Sequence, residues 1–297
     1  MIQAKPFLKW AGGKRQLLHD IENILPPEIK KNREIELYIE PFVGGGALLF
    51  HLLSNYSVKE SIINDINPDL ILSYKVIKQH PEDLIKKLRK IEKEYLSLSY
   101  EERKEYFYHN LRTKFNELKI NYSKPDIKSS AEKVALLIAL NKTCFNGLYR
   151  QNSRGEFNVP VGRYKNPKIL DEENLRNIST LLKNTKIVYG SYDSIKIPTE
   201  TNALIYFDPP YRPLTTSGFT KYSKEDFNDK DQKQLAKYFK RLNKNKYYLL
   251  LSNSDTKDGF FDELYKGFNI KRVSAKRSIN SKANGRGNIN ELLIKNY

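Results

Sequence analysis

The 297-residue sequence carries 52 Lys and Arg against 35 Asp and Glu, a formal net charge of +17 at pH 7 that favours a nucleic-acid partner over an anionic membrane surface. The single cysteine, Cys144, excludes an intrachain disulfide and a multi-cysteine metal site, and the histidines are too scattered to suggest metal ligands. The sequence has no apolar signal core and no run near the ~18 apolar residues of a membrane span, which predicts a cytoplasmic, metal-independent protein.

The first motif in chain order is FLKWAGGKR, residues 7–15, followed by apolar residues at helical spacing from Leu17 to Ile24. A Gly-Gly turn before a helix offers backbone N–H groups and a positive dipole end, which favour an anion such as a carboxylate or phosphate. An ordinary loop has the same composition, so this motif alone leaves both interpretations open. The phosphate-loop pattern Gly-x4-Gly-Lys-Ser/Thr is missing, which argues against a nucleoside triphosphatase.

A glycine-rich turn follows at residues 37–50, where LYIEPFVGGGALLF predicts a short strand, a turn and an apolar helix. Gly44 to Gly46 allow close approach of a ligand to the backbone, although tight packing of a strand against a helix also requires such glycines. About twenty residues later a second strand ends at Asp65, where a carboxylate can bond the ribose hydroxyls of a bound nucleoside. The turn is not Gly-x-Gly-x-x-Gly, so a nicotinamide enzyme is disfavoured.

The sequence then becomes helical in character. The spacing Ser99-x-x-Glu102 predicts a capping box at a helix start, and Ser129-x-x-Glu132 predicts another before the apolar run at 134–140. That run is apolar on all sides, which indicates a buried helix. These helices separate the glycine turn from the later motifs and predict an insertion. We therefore expect two domains, a catalytic domain at 1–75 and 165–297 and an inserted domain at 76–164.

The end of the insertion carries a predicted β-hairpin. Residues 152–155 form a turn signal, and Phe157, Val159 and Val161 alternate after it. Aromatic and arginine side chains on a protruding hairpin suit base stacking, guanine recognition and phosphate contact. A solvated hairpin that only closes the insertion is the alternative interpretation.

The apolar run ALIYF at 203–207 predicts a buried strand that ends at Asp208-Pro209-Pro210-Tyr211. The two prolines stop the strand because proline lacks the N–H that a strand or helix needs. A carboxylate, a rigid turn and an aromatic ring are thus held at the carboxyl end of a strand, where open α/β sheets bind ligands. An ordinary turn capped by aspartate is the other interpretation of this box taken alone.

The order of these motifs resembles that of the Dam-like site-specific DNA adenine-N6 methyltransferases (D12 class, α group). The matching motifs are KWAGGK, the glycine turn, the FNGLYR and GEFNVP stretches of the hairpin, and the DPPY box. The resemblance covers nearly the whole chain. It implies a doubly wound, mostly parallel Rossmann-like α/β sheet with one reversed strand and an inserted helical and β-hairpin target-recognition domain. The implied reaction moves a methyl group from S-adenosylmethionine to adenine N6 in double-stranded DNA, within GATC, after base flipping and without a metal.

The resemblance also implies residue roles at the reaction centre. The Asp208 carboxylate and the Pro209 carbonyl would accept the two amine hydrogens of adenine, and Tyr211 would stack on the base. The implied cofactor site lies around Trp10, Lys14, Gly44, Asp65, Tyr192 and Asp208, with Lys14 near the methionine carboxylate of S-adenosylmethionine.

The implied DNA contacts come from the hairpin region and from the N-terminal segment. By resemblance, Arg150 reads a guanine and Lys9 contacts the outer guanine. Leu148 and Pro160 touch a thymine methyl group. The pair that wedges into the opened duplex is Phe145 and Asn146. The loops at 212–222 and 274–286 are expected to lie near the substrate strand and the phosphates.

Two other classes of protein stay open at this point. An RNA or protein-glutamine N-methyltransferase could share the cofactor fold, and a catalytically silent relative could bind DNA without turnover. We expect double-stranded DNA as the partner and a monomeric protein, and the sequence leaves open whether a restriction endonuclease acts separately on the same site.

Overall fold

The computed structural model describes residues 2–10, 12, 14, 16–199, 201–213, 227–276 and 288–297. The strands in these ranges are β1 Glu34–Glu40, β2 Ser57–Asp65, β3 Thr185–Tyr189, β4 Ala203–Phe207, β5 Tyr248–Ser254, β6 Asn269–Lys276 and β7 Asn288–Lys295. The α-helices are α1 Leu18–Ile24, α2 Pro27–Asn32, α3 Ala47–Asn55, α4 Pro68–Gln79, α5 Pro81–Ser97, α6 Tyr100–Tyr106, α7 Lys114–Glu117, α8 Ala131–Thr143, α9 Glu172–Leu181, α10 Asp229–Leu242 and α11 Phe260–Leu264. A π-helical segment, Phe107–Thr113, joins α6 to α7.

The described strands form one sheet in the order β3-β2-β1-β4-β5-β7-β6. All neighbours are parallel except that β7 runs antiparallel to β5 and to β6. The chain moves outward from β1 through β2 to β3, and then returns to place β4 on the other side of β1. The turn after β1 and the box after β4 therefore meet at the point where the strand order reverses, which is where such sheets bind ligands.

Helices cover both faces of this sheet, which explains why the central strand β4 is buried and apolar along its whole length. On one face, Tyr38, Leu204 and Tyr206 pack in a core shared with α3, α4, α8 and α9. On the opposite face, Ile205 and Phe207 pack against α10 and α11. A strand buried on both faces needs a continuous apolar run instead of an alternating one. The predicted doubly wound, mostly parallel α/β sheet with one reversed strand is confirmed.

The inserted helices are present, with one correction to their predicted starts. The Ser99 and Glu102 capping box is confirmed, because each side chain accepts the other residue's backbone N–H. The predicted box at Ser129 is wrong, since α8 begins at Ala131 and its N-cap residue makes no side-chain cap bond. Asp126 competes for this turn by accepting the Ser129 N–H and, through its carbonyl, the Ser129 and Ser130 hydroxyls. Because the inserted helices share a core with one face of the sheet, the division into two domains stays a prediction.

The predicted β-hairpin is reduced to two antiparallel residue pairs, Cys144 with Val161 and Gln151 with Phe157. The turn itself forms, with Gly155 N–H donating to the Asn152 carbonyl at 2.9 Å. The Gln151 and Phe157 pair is held by the bonds that flank it, from Asn152 N–H to the Glu156 carbonyl at 2.9 Å and from Asn158 N–H to the Arg150 carbonyl at 3.1 Å. The backbone groups of Phe157 itself face away from this pair and bond the Asn116 amide on α7, at 2.8 and 3.2 Å. The pairing is thus short, and α7 supports its outer side.

Of the loops expected near DNA, residues 214–222 and 277–286 lie outside the described residues. Within the described ranges, none of the helices combines the length and apolar character that a membrane crossing requires.

Candidate active site and nucleic-acid interface

The carboxylate of Asp208 lies where β4 ends and is fixed by two donors. The Ser252 hydroxyl on β5 donates to Asp208 Oδ1 at 3.0 Å, and Lys14 Nζ lies 3.1 Å from the same oxygen. Burial raises the pKa of Asp208, while the Lys14 ammonium and the Ser252 hydroxyl act in the opposite direction. Lys14 and Ser252 thus orient the Asp208 carboxylate and favour its charged form, whereas burial in a largely enclosed site disfavours that form.

Tyr211, three residues later, is oriented by a strand far away in the sequence. Its hydroxyl donates to Glu291 Oε2 on β7 at 2.7 Å, and the Lys14 ammonium lies 3.9 Å from the centre of its ring. Lys14 thereby joins the predicted catalytic carboxylate to the predicted stacking ring. Since an ammonium over an aromatic face is attracted by the ring quadrupole, this contact also stabilises the position of Lys14.

Arg212 anchors the end of the DPPY box, residues 208–211, which is the predicted catalytic box. Its guanidinium makes two bonds to Asp229 at 2.7 and 3.0 Å, contacts Asp258, and lies 4.3 Å from the ring centre of Phe260. Its backbone N–H donates to Asn253 Oδ1 at 3.2 Å. A planar guanidinium that is bonded on two sides holds a fixed geometry, so these contacts restrain the backbone next to Tyr211.

The glycine turn lies beside Asp65, as the predicted cofactor site requires. Gly44 N–H donates to Asp65 Oδ2 at 3.0 Å and Asn67 N–H donates to Oδ1 at 2.9 Å. Gly44 has a φ of +47°, and a Cβ there would lie 3.0 Å from the Trp10 ring. Burial raises the pKa of Asp65, and the backbone N–H groups oppose that rise. Next to this carboxylate, Ile66 is 66% exposed, an unusual exposure for an isoleucine after a buried strand.

A third carboxylate, that of Glu40, lies at the end of β1 near those of Asp208 and Asp65. It accepts the Tyr38 hydroxyl at 2.8 Å and is 3% exposed. Burial raises the pKa of Glu40 well above its usual range, the bond from Tyr38 acts against this, and the Asp208 and Asp65 charges add to it. The switch point of the sheet therefore concentrates three acids, Glu40, Asp65 and Asp208, and the pKa of each is raised by burial.

The remaining two predicted cofactor residues are both aromatic and both stacked on a neighbour. Trp10 stacks on Tyr149 with ring centres 5.2 Å apart, and Tyr192 stacks on Phe42 at the same distance. Trp10 borders the glycine turn, and Phe42 is part of the segment that leads into it. The predicted cofactor residues therefore share one neighbourhood, and their roles stay predictions.

The predicted DNA contacts lie mostly on the surface. Phe145 is 49% exposed, and Asn146 next to it adopts a left-handed conformation with φ of 55°. Arg150 and Pro160 are also exposed, while Leu148 is half-buried. A backbone bond from Phe145 N–H to the Pro160 carbonyl, 2.8 Å, brings the two ends of the recognition region together.

Two of these side chains have protein partners that the sequence did not suggest. The Arg150 guanidinium bonds the side chain and the carbonyl of Asn158 at 2.8 and 3.2 Å. Lys9 Nζ donates to the Tyr164 hydroxyl at 3.4 Å. Both cationic groups are exposed and are therefore oriented while facing solvent.

Sequence reasoning missed several residues that complete the site: Glu40, Ser252, Glu291, Arg212 and Asn141. A usable signal existed for Ser252, because polar residues at the carboxyl end of a parallel strand point to the ligand edge. For metal chemistry, the described part of the chain contains no group of three or more His, Cys, Asp or Glu residues arranged to hold an ion.

A sequence model of the D12 class N6 adenine-specific DNA methyltransferases matches residues 10–279. The chain belongs to this family. It is 54% identical over 298 residues to the type II methyltransferase M.MjaIII of Methanocaldococcus jannaschii, with 100% of both chains covered. Over 299 residues it is 40% identical to the type II methyltransferase M1.LlaDCHI of Lactococcus lactis subsp. cremoris, covering 100% of this chain and 96% of that one. The DNA adenine methylase of Salmonella typhi is 33% identical over 294 residues, covering 99% and 95%.

The predicted family and class of enzyme are thereby confirmed: the protein is an adenine-specific DNA methyltransferase. Its membership sets it apart from methyltransferases of RNA and of protein glutamine. The names of the relatives include both type II methyltransferases and DNA adenine methylases.

Proposed function

We propose that the protein transfers a methyl group from S-adenosylmethionine to N6 of adenine in double-stranded DNA, within GATC, after the base has left the stack. The observation that carries this proposal is the contact of Asp208 with Ser252 and Lys14, beside Tyr211 and close to the glycine turn. It supports a single site in which an amine and a nucleoside cofactor meet.

The residues around Asp65 suit an adenosine group. Each carboxylate oxygen of Asp65 accepts one backbone N–H and so keeps lone pairs for ribose hydroxyls. The exposed side chain of Ile66 offers an apolar surface for the adenine ring of the cofactor. Gly44 presents backbone without a Cβ on the same side. We assign Trp10, Lys14 and Tyr192 to the remaining boundary of this cofactor site.

The chemistry explains why the reaction needs Asp208 and Pro209. The N6 lone pair of adenine is delocalised into the ring, so the amine is a weak nucleophile. When bound, S-adenosylmethionine supplies an electrophilic methyl group on a sulfonium. Asp208 and the Pro209 carbonyl accept the two amine hydrogens and align the nitrogen, Tyr211 stacks on the base, and Asp208 takes the proton that the amine loses. S-adenosylhomocysteine is the other product, and the proposal needs no metal. Acceptors placed where positive charge develops are a large source of catalysis.

The surface of the protein supports a DNA substrate. The net charge of +17 favours binding of a phosphate backbone. Flipping the target base costs roughly a few kcal/mol, and Phe145 with Asn146 is the proposed wedge that occupies the opened stack. Arg150, Lys9, Leu148 and Pro160 are the proposed base contacts, and GATC rests on the resemblance of this region to that of Dam-like enzymes.

The proposal also covers the organisation of the chain. Residues 76–164 act as the target-recognition domain, and 1–75 with 165–297 form the catalytic domain. The protein works as a monomer, and a restriction endonuclease that acts separately on the same sequence is compatible with it.

Transfer of labelled methyl from S-adenosylmethionine tests the proposal. The substrates are short duplexes with GATC, with a single-base variant of GATC, and with GATC already methylated on both strands. We expect label only on unmethylated GATC, with and without EDTA. Label on the variant duplexes would keep the reaction and overturn the target site. Label on RNA or protein but not on DNA would overturn the substrate class.

A further inference from the structure

Residues 2–10 contain no helix or strand, and two buried asparagines hold this N-terminal segment against the helices. The Asn174 amide on α9 accepts the Lys5 N–H at 2.9 Å and donates to the Lys5 carbonyl at 3.0 Å. The Asn141 amide on α8 does the same for Lys9, at 2.8 and 2.9 Å. Each amide imitates the backbone pairing of a neighbouring strand. Asn174 is 7% exposed and Asn141 is 1% exposed.

Asn141 differs from Asn174 in one contact. Its Nδ2 also donates to the Gly147 carbonyl at 2.8 Å, so the two donors and the acceptor of this amide are all bonded to backbone. Gly147 belongs to the recognition turn, residues 145–150. One buried side chain therefore links the backbone of Lys9 to the backbone of that turn.

Close packing reinforces this link. Gly147 has a φ of +65°, and a Cβ at this position would lie 2.3 Å from Cδ of Lys9. The left-handed conformation and the lack of space both favour glycine. Lys9 thus runs directly over the turn before its Nζ reaches the Tyr164 hydroxyl at 3.4 Å. The two groups proposed to read guanines, Lys9 and Arg150, lie on segments that Asn141 joins.

We infer that Asn141 is a specificity-positioning residue that fixes Lys9 and the recognition turn in one frame, so that their base contacts lie at a set separation. This inference rests on the proposed function. Loss of the amide leaves the Lys9 N–H, the Lys9 carbonyl and the Gly147 carbonyl without their partner at a buried position. The two segments then move independently, and displacements of about 1 Å are enough to lose well-aligned contacts.

The test compares Asn141→Ala with the matched variant Asn174→Ala. For each we measure kcat/KM for methyl transfer to GATC and to a duplex in which only the outer G·C pair is replaced. We expect Asn141→Ala to lower the ratio of the two values by about 10-fold or more, as for the loss of a base contact. Asn174→Ala should keep the wild-type ratio, because its amide bonds only Lys5. If the ratio of kcat/KM for GATC to that for the altered duplex were the same in Asn141→Ala and in Asn174→Ala, the inference would be overturned.

Two further variants separate positioning from a general loss of structure. Asn141→Asp keeps the acceptor for the Lys9 N–H and loses both donors, so it should lower the ratio while remaining folded by circular dichroism. In a double-mutant cycle with Lys9→Ala, the losses in the ratio should be strongly less than additive, since Asn141 acts through Lys9. Additive losses would overturn the inference, as would a wild-type ratio in Asn141→Asp.

Failure of the proposed function gives a different result. A wild-type enzyme that methylates DNA with no preference for GATC would contradict the proposed target. The comparison of Asn141→Ala with Asn174→Ala would then use the sequence that the wild-type enzyme does prefer. If the wild-type enzyme methylates no DNA, the proposed function fails before Asn141 is tested.

Discussion

The predicted catalytic box, residues 208–211, and the recognition turn, residues 145–150, differ in how far the protein itself fixes their side chains. Asp208 and Tyr211 are bonded to protein partners before any substrate binds, and little of the Asp208 side chain is exposed. In the recognition turn, Phe145 and Arg150 face solvent, and Arg150 has Asn158 as its partner. Under the proposed function, the reacting groups are thus preorganised, whereas recognition is completed by the DNA. Substitutions in the box should change turnover on every duplex, and substitutions in the turn should change the choice between duplexes.

Removal of the catalytic carboxylate should have the largest effect. We expect Asp208→Ala to lower kcat by at least about 10²- to 10³-fold, since it removes an acceptor aimed at developing charge. Binding of a GATC duplex, measured by fluorescence anisotropy, should be retained because the recognition turn is untouched. Turnover near the wild-type level would show that another residue performs this role.

The corresponding change in the recognition turn is Arg150→Ala. We expect a loss of discrimination at one guanine of about 10- to 100-fold, measured as the ratio of kcat/KM for GATC and a duplex altered at that base. Transfer to the best substrate should continue. Arg154→Ala is the matched control, because Arg154 lies in the same region, is 78% exposed and pairs with Glu156. If both variants lose the same discrimination, charge and not base reading is responsible.

Ser252→Ala tests the orientation of Asp208. It removes a hydrogen bond to a carboxylate, and we expect kcat to fall by about 10-fold on every duplex. Asp208 must be ionised to act, so kcat/KM should fall as the pH decreases through a pKa that burial has raised. Ser252 opposes that rise. Its loss should move this acidic limb to higher pH.

A buried serine elsewhere provides the control for Ser252. Ser61 on β2 is 2% exposed and bonds the Thr185 hydroxyl at 2.8 Å, far from the catalytic box along the sheet. Ser61→Ala should leave the acidic limb unchanged. An identical pH profile for wild type and Ser252→Ala would separate Ser252 from the ionisation of Asp208.

The smallest expected effect concerns Glu291. We expect Glu291→Ala to raise KM for DNA about 2- to 10-fold, because Tyr211 loses the hydrogen bond that orients its ring. Glu291→Gln keeps an acceptor and should stay close to wild type. A weaker effect on KM than on sequence preference would place Glu291 with the recognition turn instead of the box.

The sequence allowed prediction of those parts of the site that are local in the chain. The glycine turn, Asp65 and the Asp208 box each join a strand to the residues that directly follow it, so periodicity and turn chemistry were sufficient. Ser252 and Glu291 are 44 and 80 residues from their partners. β5 lies beside β4, and β7 lies within reach of Tyr211, because of the order of the strands in the sheet. The local sequence patterns of single strands do not reveal that order.

Competition from a nearby residue explains the predicted helix cap that was wrong. Asp126 accepts the Ser129 N–H and, through its carbonyl, the Ser129 and Ser130 hydroxyls. Asp126 was not part of the pattern that predicted the cap. The contacts of Asn141 with Lys9 and Gly147 were not predicted either. A polar residue directly after an apolar helical run indicates only the end of a helix.

The position of β7 has a consequence for the synthesis of the protein. β7 follows every other strand in the chain, yet it is inserted between β5 and β6. During synthesis, the edge of β5 that later pairs with β7 therefore stays unpaired until residues 288–295 have left the ribosome. An unpaired strand edge can pair with a wrong strand. The Asp208 box is made long before Glu291 can reach Tyr211. An unfinished chain can therefore carry the whole DPPY motif, residues 208–211, while Tyr211 still lacks the hydrogen bond from its hydroxyl to Glu291.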